Sequence, residues 1–216
     1  MPHDGHDHDH DGVSPSGHPY RADQDTGLSD WQAMEIAIRE LMIERGATTA
    51  QAVADQVAAM DARSPALGAR IVARTWTDPG FRERLLADGS AACREAGVEV
   101  GPMRLIAVEN TDRVHNVVVC TLCSCYPWSV LGLPPAWYKS PAYRAAVVRD
   151  PRGVLSGFGV SLPETTRIRV HDSTAEQRYL VVPTRPEGTE GWDAERLAAL
   201  VTRDSMIGTG LPEAPA

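Results

Sequence analysis

The stretch that organises this chain of 216 residues lies at 117–125 and reads Val-Val-Val-Cys-Thr-Leu-Cys-Ser-Cys. The three valines are β-branched and apolar, which is typical of a buried strand. Three of the chain's four cysteines follow at once, within six residues. The pattern therefore predicts a strand that ends in a cysteine-rich loop, and this loop is the candidate functional site.

The clustering of the cysteines indicates their chemistry. Secreted disulfide scaffolds spread their cysteines along the chain, whereas clustered thiols in a reducing compartment bind metal or take part in catalysis. The fourth cysteine, Cys93, lies in a helical pattern and is interpreted as a small buried apolar residue. We therefore predict a metal site formed by Cys120, Cys123 and Cys125.

The spacing of these cysteines bears on the identity of the metal. Thiolates favour soft or borderline transition metals. Structural zinc prefers four side-chain ligands, and only Cys93 or His115 could supply the fourth. One residue separates Cys123 from Cys125, which brings the intervening amide nitrogens towards the metal as further ligands. Because a deprotonated amide requires a strongly Lewis-acidic ion, the spacing favours trivalent cobalt or iron over zinc.

Composition narrows the class of protein. The chain is 43% apolar and 23% charged, as is typical of a globular protein, and no apolar run approaches the roughly 20 residues of a membrane span. A net charge of −8 with scattered basic residues disfavours nucleic acid as a partner. The N-terminus has neither the basic start nor the apolar stretch of a secretory signal. We expect a cytoplasmic protein that binds neither membrane nor nucleic acid.

Four regions are predicted along the chain. Residues 1–27 are rich in His, Asp, Gly, Ser and Pro and poor in apolar residues, so we predict a disordered His/Asp-rich tail. The alternating run from His6 to Asp11 either binds divalent metal weakly or is solvated without a specific ligand. Residues 28–65 are predicted to form an N-terminal helical arm, 66–210 the catalytic metal-binding domain, and 211–216 a flexible C-terminus.

Helical and strand patterns can be read within these regions. Ser29 with Gln32 forms a capping-box pattern for a helix to Arg45, and Thr48 with Gln51 repeats the pattern for a second helix. Their two apolar stripes either cover a partner subunit or pack back on their own domain. Further helices are predicted at 67–76, 81–88, 90–96, 141–149, 151–158 and 193–202, and strands at 105–108, 117–119, 167–170 and 179–182, the last two as a pair. Helices and strands are partly segregated, which predicts an α+β fold.

The residues around the loop carry a family resemblance. The stretch from Val117 to Val148, VVVCTLCSCYPWSVLGLPPAWYKSPAYRAAVV, resembles the metal-site region of the nitrile hydratase alpha subunit. Segments 73–79, 185–192 and 200–208 are similar to that family as well, so the resemblance covers nearly everything after about residue 29. It implies a helical arm followed by a layered α/β/β/α-like domain that carries the metal-binding cysteine loop.

The resemblance also implies a ligand set. One metal ion would be bound by the sulfurs of Cys120, Cys123 and Cys125 and by the backbone nitrogens of Ser124 and Cys125, with a sixth position open for substrate or water. In the family, the cysteine matching Cys123 is oxidised to sulfinic acid and the one matching Cys125 to sulfenic acid. Cys120 would remain a thiolate. Cys125 and Ser124 are the candidate catalytic residues.

The metal implied by the resemblance is cobalt. Thr121 and Tyr126 match the cobalt-type version of the motif, so we expect one Co(III) ion, with Fe(III) as the alternative. The implied reaction is the addition of water to a nitrile to give an amide, with the metal acting as a Lewis acid. Such a hydro-lyase is active only with a beta subunit, as a heterodimer or heterotetramer. It also needs an activator or metallochaperone for cobalt insertion.

The residues after the loop allow two interpretations. Trp128, Val130, Leu131, Leu133 and Trp137 either line an apolar pocket for a small nitrile or belong to the core or a subunit interface. Tyr138, Arg144 and Arg149 are interpreted as surface or interface residues rather than catalytic ones.

Two other functions compete with nitrile hydration. The metal-bearing subunit of thiocyanate hydrolase is similar too, shares the CTLCSC loop and can carry a His-Asp-rich N-terminus. Trp128 stands where that enzyme is expected to have Arg, and an apolar nitrile favours Trp whereas a small anion favours positive charge. His171 departs from the Trp that the hydratase family commonly has. The third hypothesis is a metal-trafficking or structural zinc protein.

Overall fold

The computed structural model describes residues 29–215, so the tail predicted at 1–27 lies outside the described residues. The helices of the described part are α1 Asp30–Glu44, α2 Ala50–Asp61, α3 Pro65–Thr77, α4 Pro79–Ala87, α5 Gly89–Glu95, α6 Trp128–Leu131, α7 Pro141–Arg149, α8 Pro151–Gly157, α9 Ala194–Ala199 and α10 Arg203–Ile207, with a 3-10 turn at Ala136–Lys139. The strands are β1 Arg104–Glu109, β2 Val114–Val119, β3 Arg167–Asp172 and β4 Gln177–Val182. This mixture of helices and small sheets confirms the predicted α+β class.

The first two helices begin with side-chain caps. The Ser29 hydroxyl accepts a hydrogen bond from the Gln32 amide, and the Gln32 side chain accepts one from the Ser29 backbone, so the predicted capping box is confirmed. The second capping box is wrong. Thr49 rather than Thr48 caps α2, because its hydroxyl accepts from the Ala52 backbone N–H, and Gln51 bonds to a side chain of its own helix instead.

The apolar stripes of α1 and α2 face solvent in this chain. No residue of α1 is buried, and Trp31 is 78% exposed. The other large apolar side chains exposed on these two helices are Met34, Ile38, Leu41, Met42, Val57 and Met60. The two helices therefore do not bury their stripes against the rest of the described chain.

The strands form two parallel pairs. β1 pairs with β4, and β2 pairs with β3 in a register that sets Val119 opposite Asp172. The expected pairing of the strands at 167–170 and 179–182 is wrong, although the short link between them resembles a hairpin. The Ser173 amide instead donates to the Val119 carbonyl at 2.7 Å and extends the β2–β3 ladder, while β4 joins the other sheet.

The core packs helices against both sheets. Val117, Val118 and Val119 are completely buried, as a short run of β-branched residues predicts. Ile71 of α3 and Phe81 of α4 belong to the same apolar cluster. Burial of each such side chain stabilises the fold by roughly 1.5–3 kcal/mol, which holds the strand before the cysteine loop rigidly. Among residues 29–215, every helix is too short or too polar to span a bilayer.

A close backbone approach fixes α10 against β2. Gly208 ends α10 with a φ of +80°, in the left-handed region that favours glycine. A Cβ atom there would lie 1.8 Å from the Asn116 carbonyl oxygen. The His115 imidazole donates from Nε2 to the Gly208 carbonyl at 2.8 Å and secures the same contact.

Gly208→Ala should therefore destabilise the chain strongly. We expect a loss of about 3 kcal/mol or more in the free energy of unfolding, from left-handed strain together with steric overlap. Gly159→Ala is the matched control, because Gly159 has the same φ of +80° but nothing within 4 Å of the added Cβ. The free energy of unfolding of this control should fall by about 1 kcal/mol, from the left-handed strain alone. Urea denaturation measures both, and equal losses would contradict the steric argument.

A polar network connects β3 to the contact between α10 and β2. His171 donates from Nε2 to the Asn116 side-chain oxygen at 2.8 Å, and the Asn116 amide group donates to the Asn110 oxygen at 2.9 Å. The Asn110 amide group in turn donates to Nδ1 of His115 at 3.2 Å. These bonds fit both histidines as neutral imidazoles. Burial lowers the pKa of each below the usual 6.5, and nearby Arg169 lowers that of His171 further.

These lowered pKa values predict a loss of stability in acid. The unfolded chain binds protons at these histidines near pH 6.5 that the folded chain excludes, so stability is complete above that pH and decreases as the pH falls below it. His171→Gln keeps a donor for Asn116 but removes one titrating group. Urea midpoints measured between pH 7.5 and about 5 should fall less steeply for this variant. If the urea midpoints of the two proteins fell equally steeply with pH, the assignment of this acid sensitivity to His171 would be contradicted.

Candidate metal centre

The cysteine loop leaves the buried end of β2. Cys120 is almost completely buried at 1% exposure, whereas Cys123 is exposed and Cys125 is partly buried. The Sγ atoms of Cys120 and Cys123 lie 3.5 Å apart, and those of Cys123 and Cys125 lie 3.2 Å apart. All three sulfur atoms lie within 4.8 Å of one another. The structure thus brings together the three cysteines that the sequence predicted as metal ligands.

The sulfur atoms interact with one another and with the loop backbone, since the Cys123 backbone N–H donates to the Cys120 Sγ at 3.2 Å. Hydrogen bonds from the side chains of Cys125 and Cys120, and then from the backbone of Ser124 and Cys125, lower the pKa of the Cys123 thiol to about 7. Burial, followed by the neighbouring Cys123 and Cys120, raises the pKa of Cys125 to about 12. Three sulfurs so close together fit a thiophilic metal ion.

The structure does not favour the zinc alternative. In the described part of the chain, the only group of potential metal ligands contains Cys120, Cys123 and Cys125, and neither Cys93 nor His115 belongs to it. Cys93 is completely buried in α5, where burial raises the pKa of its thiol to about 12. Both ring nitrogens of His115 are hydrogen-bonded elsewhere. A closed zinc site with four side-chain ligands therefore lacks its fourth ligand.

One carboxylate holds the start of the loop. The Thr121 amide donates to Asp172 Oδ1 at 2.9 Å, and the Thr121 hydroxyl donates to Asp172 Oδ2 at 2.5 Å. Asp172 can reach Thr121 because the β2–β3 register sets it opposite Val119, directly before the loop. Sequence reasoning missed this residue, since the contact depends on a parallel pairing between strands far apart in the chain.

Two further side chains hold the rest of the loop. The Arg144 guanidinium donates from Nη1 to the Cys123 carbonyl at 3.0 Å, and the Tyr138 hydroxyl donates to the Cys125 carbonyl at 2.9 Å. Tyr138 is buried and meets Tyr126 edge to face, with ring centroids 5.0 Å apart. The interpretation of Tyr138 as a surface or interface residue is therefore wrong, whereas Arg144 is partly exposed. Both position the loop through its backbone carbonyls, whereas Arg149 is exposed as predicted.

The apolar residues after the loop divide into two groups. Val130 and Leu131 are completely buried in the core, and Trp137 packs against Phe158 with centroids 4.7 Å apart. Leu133 is 53% exposed. Trp128 is partly buried, and the Arg63 guanidinium lies 3.9 Å above its ring centroid. Of the five, Leu133, Trp128 and Trp137 therefore keep surface that a substrate or partner can contact.

The comparison with known proteins agrees with this geometry. Residues 29–210 match the family model described as nitrile hydratase, alpha chain. The chain belongs to the nitrile hydratase alpha chain family. It is 52% identical over 183 residues to the low-molecular weight cobalt-containing nitrile hydratase subunit alpha of Rhodococcus rhodochrous, covering 83% of this chain and 87% of the relative.

Two other family relationships bear on the alternatives. The chain is 41% identical over 198 residues to thiocyanate hydrolase subunit gamma of Thiobacillus thioparus, covering 86% of this chain and 82% of the relative. Its structure resembles that of a double mutant of the Fe-type nitrile hydratase from Comamonas testosteroni Ni1, with a TM-score of 0.80 and 42% identity over 87% of this chain and 94% of the other. The nitrile hydratase fold implied by the cysteine motif is thus confirmed.

The Asp172 contact predicts a measurable effect on metal binding. Asp172→Asn keeps the size of the side chain but replaces one acceptor oxygen with a donor that faces the Thr121 hydroxyl. Loss of a hydrogen bond that holds the metal ligands in position typically lowers metal affinity 10- to 100-fold. Metal analysis of the purified protein at limiting metal should show the loss. Asp112→Asn, an exposed residue away from the loop, is the control, and equal occupancy in both variants would contradict the role of Asp172.

Proposed function

We propose that this chain is the alpha subunit of a cobalt-containing nitrile hydratase and converts nitriles to amides together with a beta subunit. The observation that carries the proposal is the cluster of three cysteine sulfurs within 4.8 Å of one another. The 52% identity to a cobalt-containing hydratase subunit supports the same function. The small nitrile substrate rests on this relationship and on Trp128.

The proposed ligands are the sulfurs of Cys120, Cys123 and Cys125 and the backbone nitrogens of Ser124 and Cys125. These residues would hold one Co(III) ion, and Fe(III) remains the alternative because an Fe-type hydratase shares the fold. When bound, the metal supplies a Lewis acid for the nitrile or for water. The match of Thr121 and Tyr126 to the cobalt-type motif favours cobalt.

The proposed roles of the three cysteines agree with their exposure. Cys120 is 1% exposed, which suits a sulfur that stays a thiolate. Cys123 is exposed and Cys125 is partly exposed, so an oxidant can reach the two sulfurs proposed to become sulfinic and sulfenic acid. The oxygen on Cys125 would attack the nitrile carbon or take a proton from water. Ser124 would position Cys125 through its backbone nitrogen.

The polypeptide around the loop would keep these atoms in place. Asp172, Arg144 and Tyr138 bind loop backbone or side-chain groups and leave the sulfurs free to act on the metal and the substrate. Trp128 would present an apolar surface to the nitrile, and the stacked Arg63 guanidinium limits the movement of its ring. Such prior positioning of the reacting groups is a large part of the catalytic effect in enzymes.

The beta subunit is the proposed partner of α1 and α2. Their exposed apolar side chains, Trp31 above all, support this proposal, because exposed apolar surface of this kind marks interaction sites. We propose that residues 28–65 form an arm that packs on the beta subunit, in a heterodimer or heterotetramer.

We also propose that residues 66–210 form the catalytic domain, that the protein is cytoplasmic, and that an activator inserts the cobalt.

Co-expression with a beta subunit tests the proposal. In cobalt-supplemented medium, the purified complex should convert acrylonitrile to acrylamide, whereas the isolated chain should be inactive. Cys125→Ser should lower the rate at least 100-fold, since it removes both a ligand and the reacting oxygen. Cys93→Ala is the control, because Cys93 lies in the core away from the loop.

Thiocyanate is the competing substrate to assay in parallel. Its hydrolysis would yield carbonyl sulfide and ammonia. Formation of these products without amide from acrylonitrile would overturn nitrile hydration and favour the function of the 41% identical relative.

A further inference from the structure

We propose that Arg63 gives the site beside the cysteine loop a preference for nitriles that carry a carboxylate group. Arg63 acts through Trp128, because its guanidinium lies on the ring of that residue. The ligand class is a short alkyl nitrile with one negative charge at the end away from the cyano group. This substrate class rests on the nitrile hydration proposed above.

The backbone of Arg63 is fixed against the turn that follows α6. A Cβ atom at Gly132, which ends α6, would overlap the Arg63 carbonyl oxygen. Helix α3 begins two residues later, at Pro65, and packs closely on α6, because a Cβ atom at Gly68 would lie 3.0 Å from the Val130 carbonyl oxygen. Arg63 therefore has a defined position relative to α6.

The side chain of Arg63 is held by an aromatic ring. Its guanidinium carbon lies 3.9 Å from the centroid of the Trp128 ring, a favourable cation–π distance. The Nη1 atom is buried and has no hydrogen-bond partner in the described part of the chain. The ion pairs between described side chains involve other arginines, namely Arg39, Arg74, Arg82, Arg84 and Arg203. The positive charge of Arg63 thus acts on Trp128 without a carboxylate among these pairs to offset it.

The surroundings of the loop do not offset this charge either. The chain carries a net charge of −8, yet residues 117–149 contain three basic residues and no acidic one. The carboxylate of Asp172, which contacts the loop, is occupied by its two hydrogen bonds with Thr121. The surface at the loop is therefore locally positive and attracts anions.

Trp128 lies close to the candidate metal ligands. It follows Cys125 by three residues, and its backbone N–H donates to the Tyr126 carbonyl at 2.8 Å in a tight turn. The side chain is only partly buried, so the ring keeps surface beside the loop. A ligand group in van der Waals contact with that surface lies within about 8 Å of the Arg63 guanidinium.

The ring and the charge together select the ligand. The ring offers apolar contact to a short alkyl chain, and Arg63 attracts a negative group on that chain. At about 8 Å and an effective dielectric constant of about 20, this attraction corresponds to more than a tenfold gain in affinity. Partial exposure and dissolved salt reduce the gain. We therefore expect a preference of about fivefold for an anionic nitrile over a neutral one of the same size.

The first experiment compares two substrates of similar size and different charge. The cobalt-loaded complex with the beta subunit is assayed with 3-cyanopropanoate and 3-cyanopropanamide, and the ratio of the two kcat/KM values is measured at low ionic strength. We expect Arg63→Gln to lower this ratio about fivefold and Arg63→Lys to keep most of it, because lysine restores the charge. The ratio cancels any loss of folded protein.

A matched variant controls for the change in net charge. Arg94→Gln removes one positive charge from the exposed face of α5, a helix that packs on α4 and β1. We expect the ratio of this variant to equal that of the parent complex. The same ratio in Arg63→Gln and in the parent would overturn the proposal.

The second experiment separates charge from packing. Salt screens an attraction between charges but has little effect on apolar contact with Trp128. Raising sodium chloride from about 20 to about 500 mM should lower the ratio of the parent towards that of Arg63→Gln and leave the variant nearly unchanged. A ratio of the parent that does not respond to salt would contradict an electrostatic role.

The third experiment requires no turnover. Hydration of 3-cyanopropanoate gives succinamate, and binding of succinamate and of neutral succinamide to the complex is measured by calorimetry. We expect Arg63→Gln to weaken the binding of succinamate about fivefold and to leave the binding of succinamide unchanged. Equal binding of succinamate by parent and variant would overturn the role of Arg63.

The outcomes for Arg63 and for nitrile hydration can be told apart. A loaded complex that forms no amide from any nitrile would contradict nitrile hydration, whereas the difference in succinamate binding would still support the anion preference. An active complex that shows neither the substrate preference nor the binding difference would overturn the role of Arg63 alone.

Discussion

The parallel pairing of β2 with β3 is the constraint on which the candidate metal centre depends. Its register sets Asp172 opposite Val119, so the carboxylate meets the first two donors of the cysteine loop at the point where the strand ends. A shift of one residue would turn this side chain to the other face of the sheet. The position of the loop is therefore set by backbone pairing before any metal binds.

The rest of the fold holds that register. The valines of β2 are completely buried, and Gly208 brings α10 into backbone contact with Asn116 of the same strand. Arg144 and Tyr138 then fix the far side of the loop through the carbonyls of Cys123 and Cys125. The loop is thus supported from β3, α7 and the 3-10 turn, while Cys123 remains exposed. Such support is what an oxidisable ligand cluster needs to keep its geometry.

Local features could be predicted from the sequence, and long-range pairing could not. The Ser29–Gln32 cap, the buried valine strand and the cysteine cluster depend on residues close together in the chain, and the structure confirms them. The strands at 167–170 and 179–182 look like a hairpin because their link is short, yet each pairs with a distant strand. For the same reason, the contacts of Tyr138 and Arg144 with the loop could not be recognised. α10 was missed because it is only one turn long.

The central claim is that the three cysteines form one metal site in which two sulfurs are oxidised. Family membership and the 4.8 Å cluster support the metal site, and the oxidation of the two sulfurs is proposed. Intact-mass spectrometry and metal analysis of the chain purified with its beta subunit test it most directly. The account predicts one cobalt per chain and a mass increase of about 48 Da, from two oxygens on Cys123 and one on Cys125. One equivalent of zinc on three unmodified cysteines would contradict it.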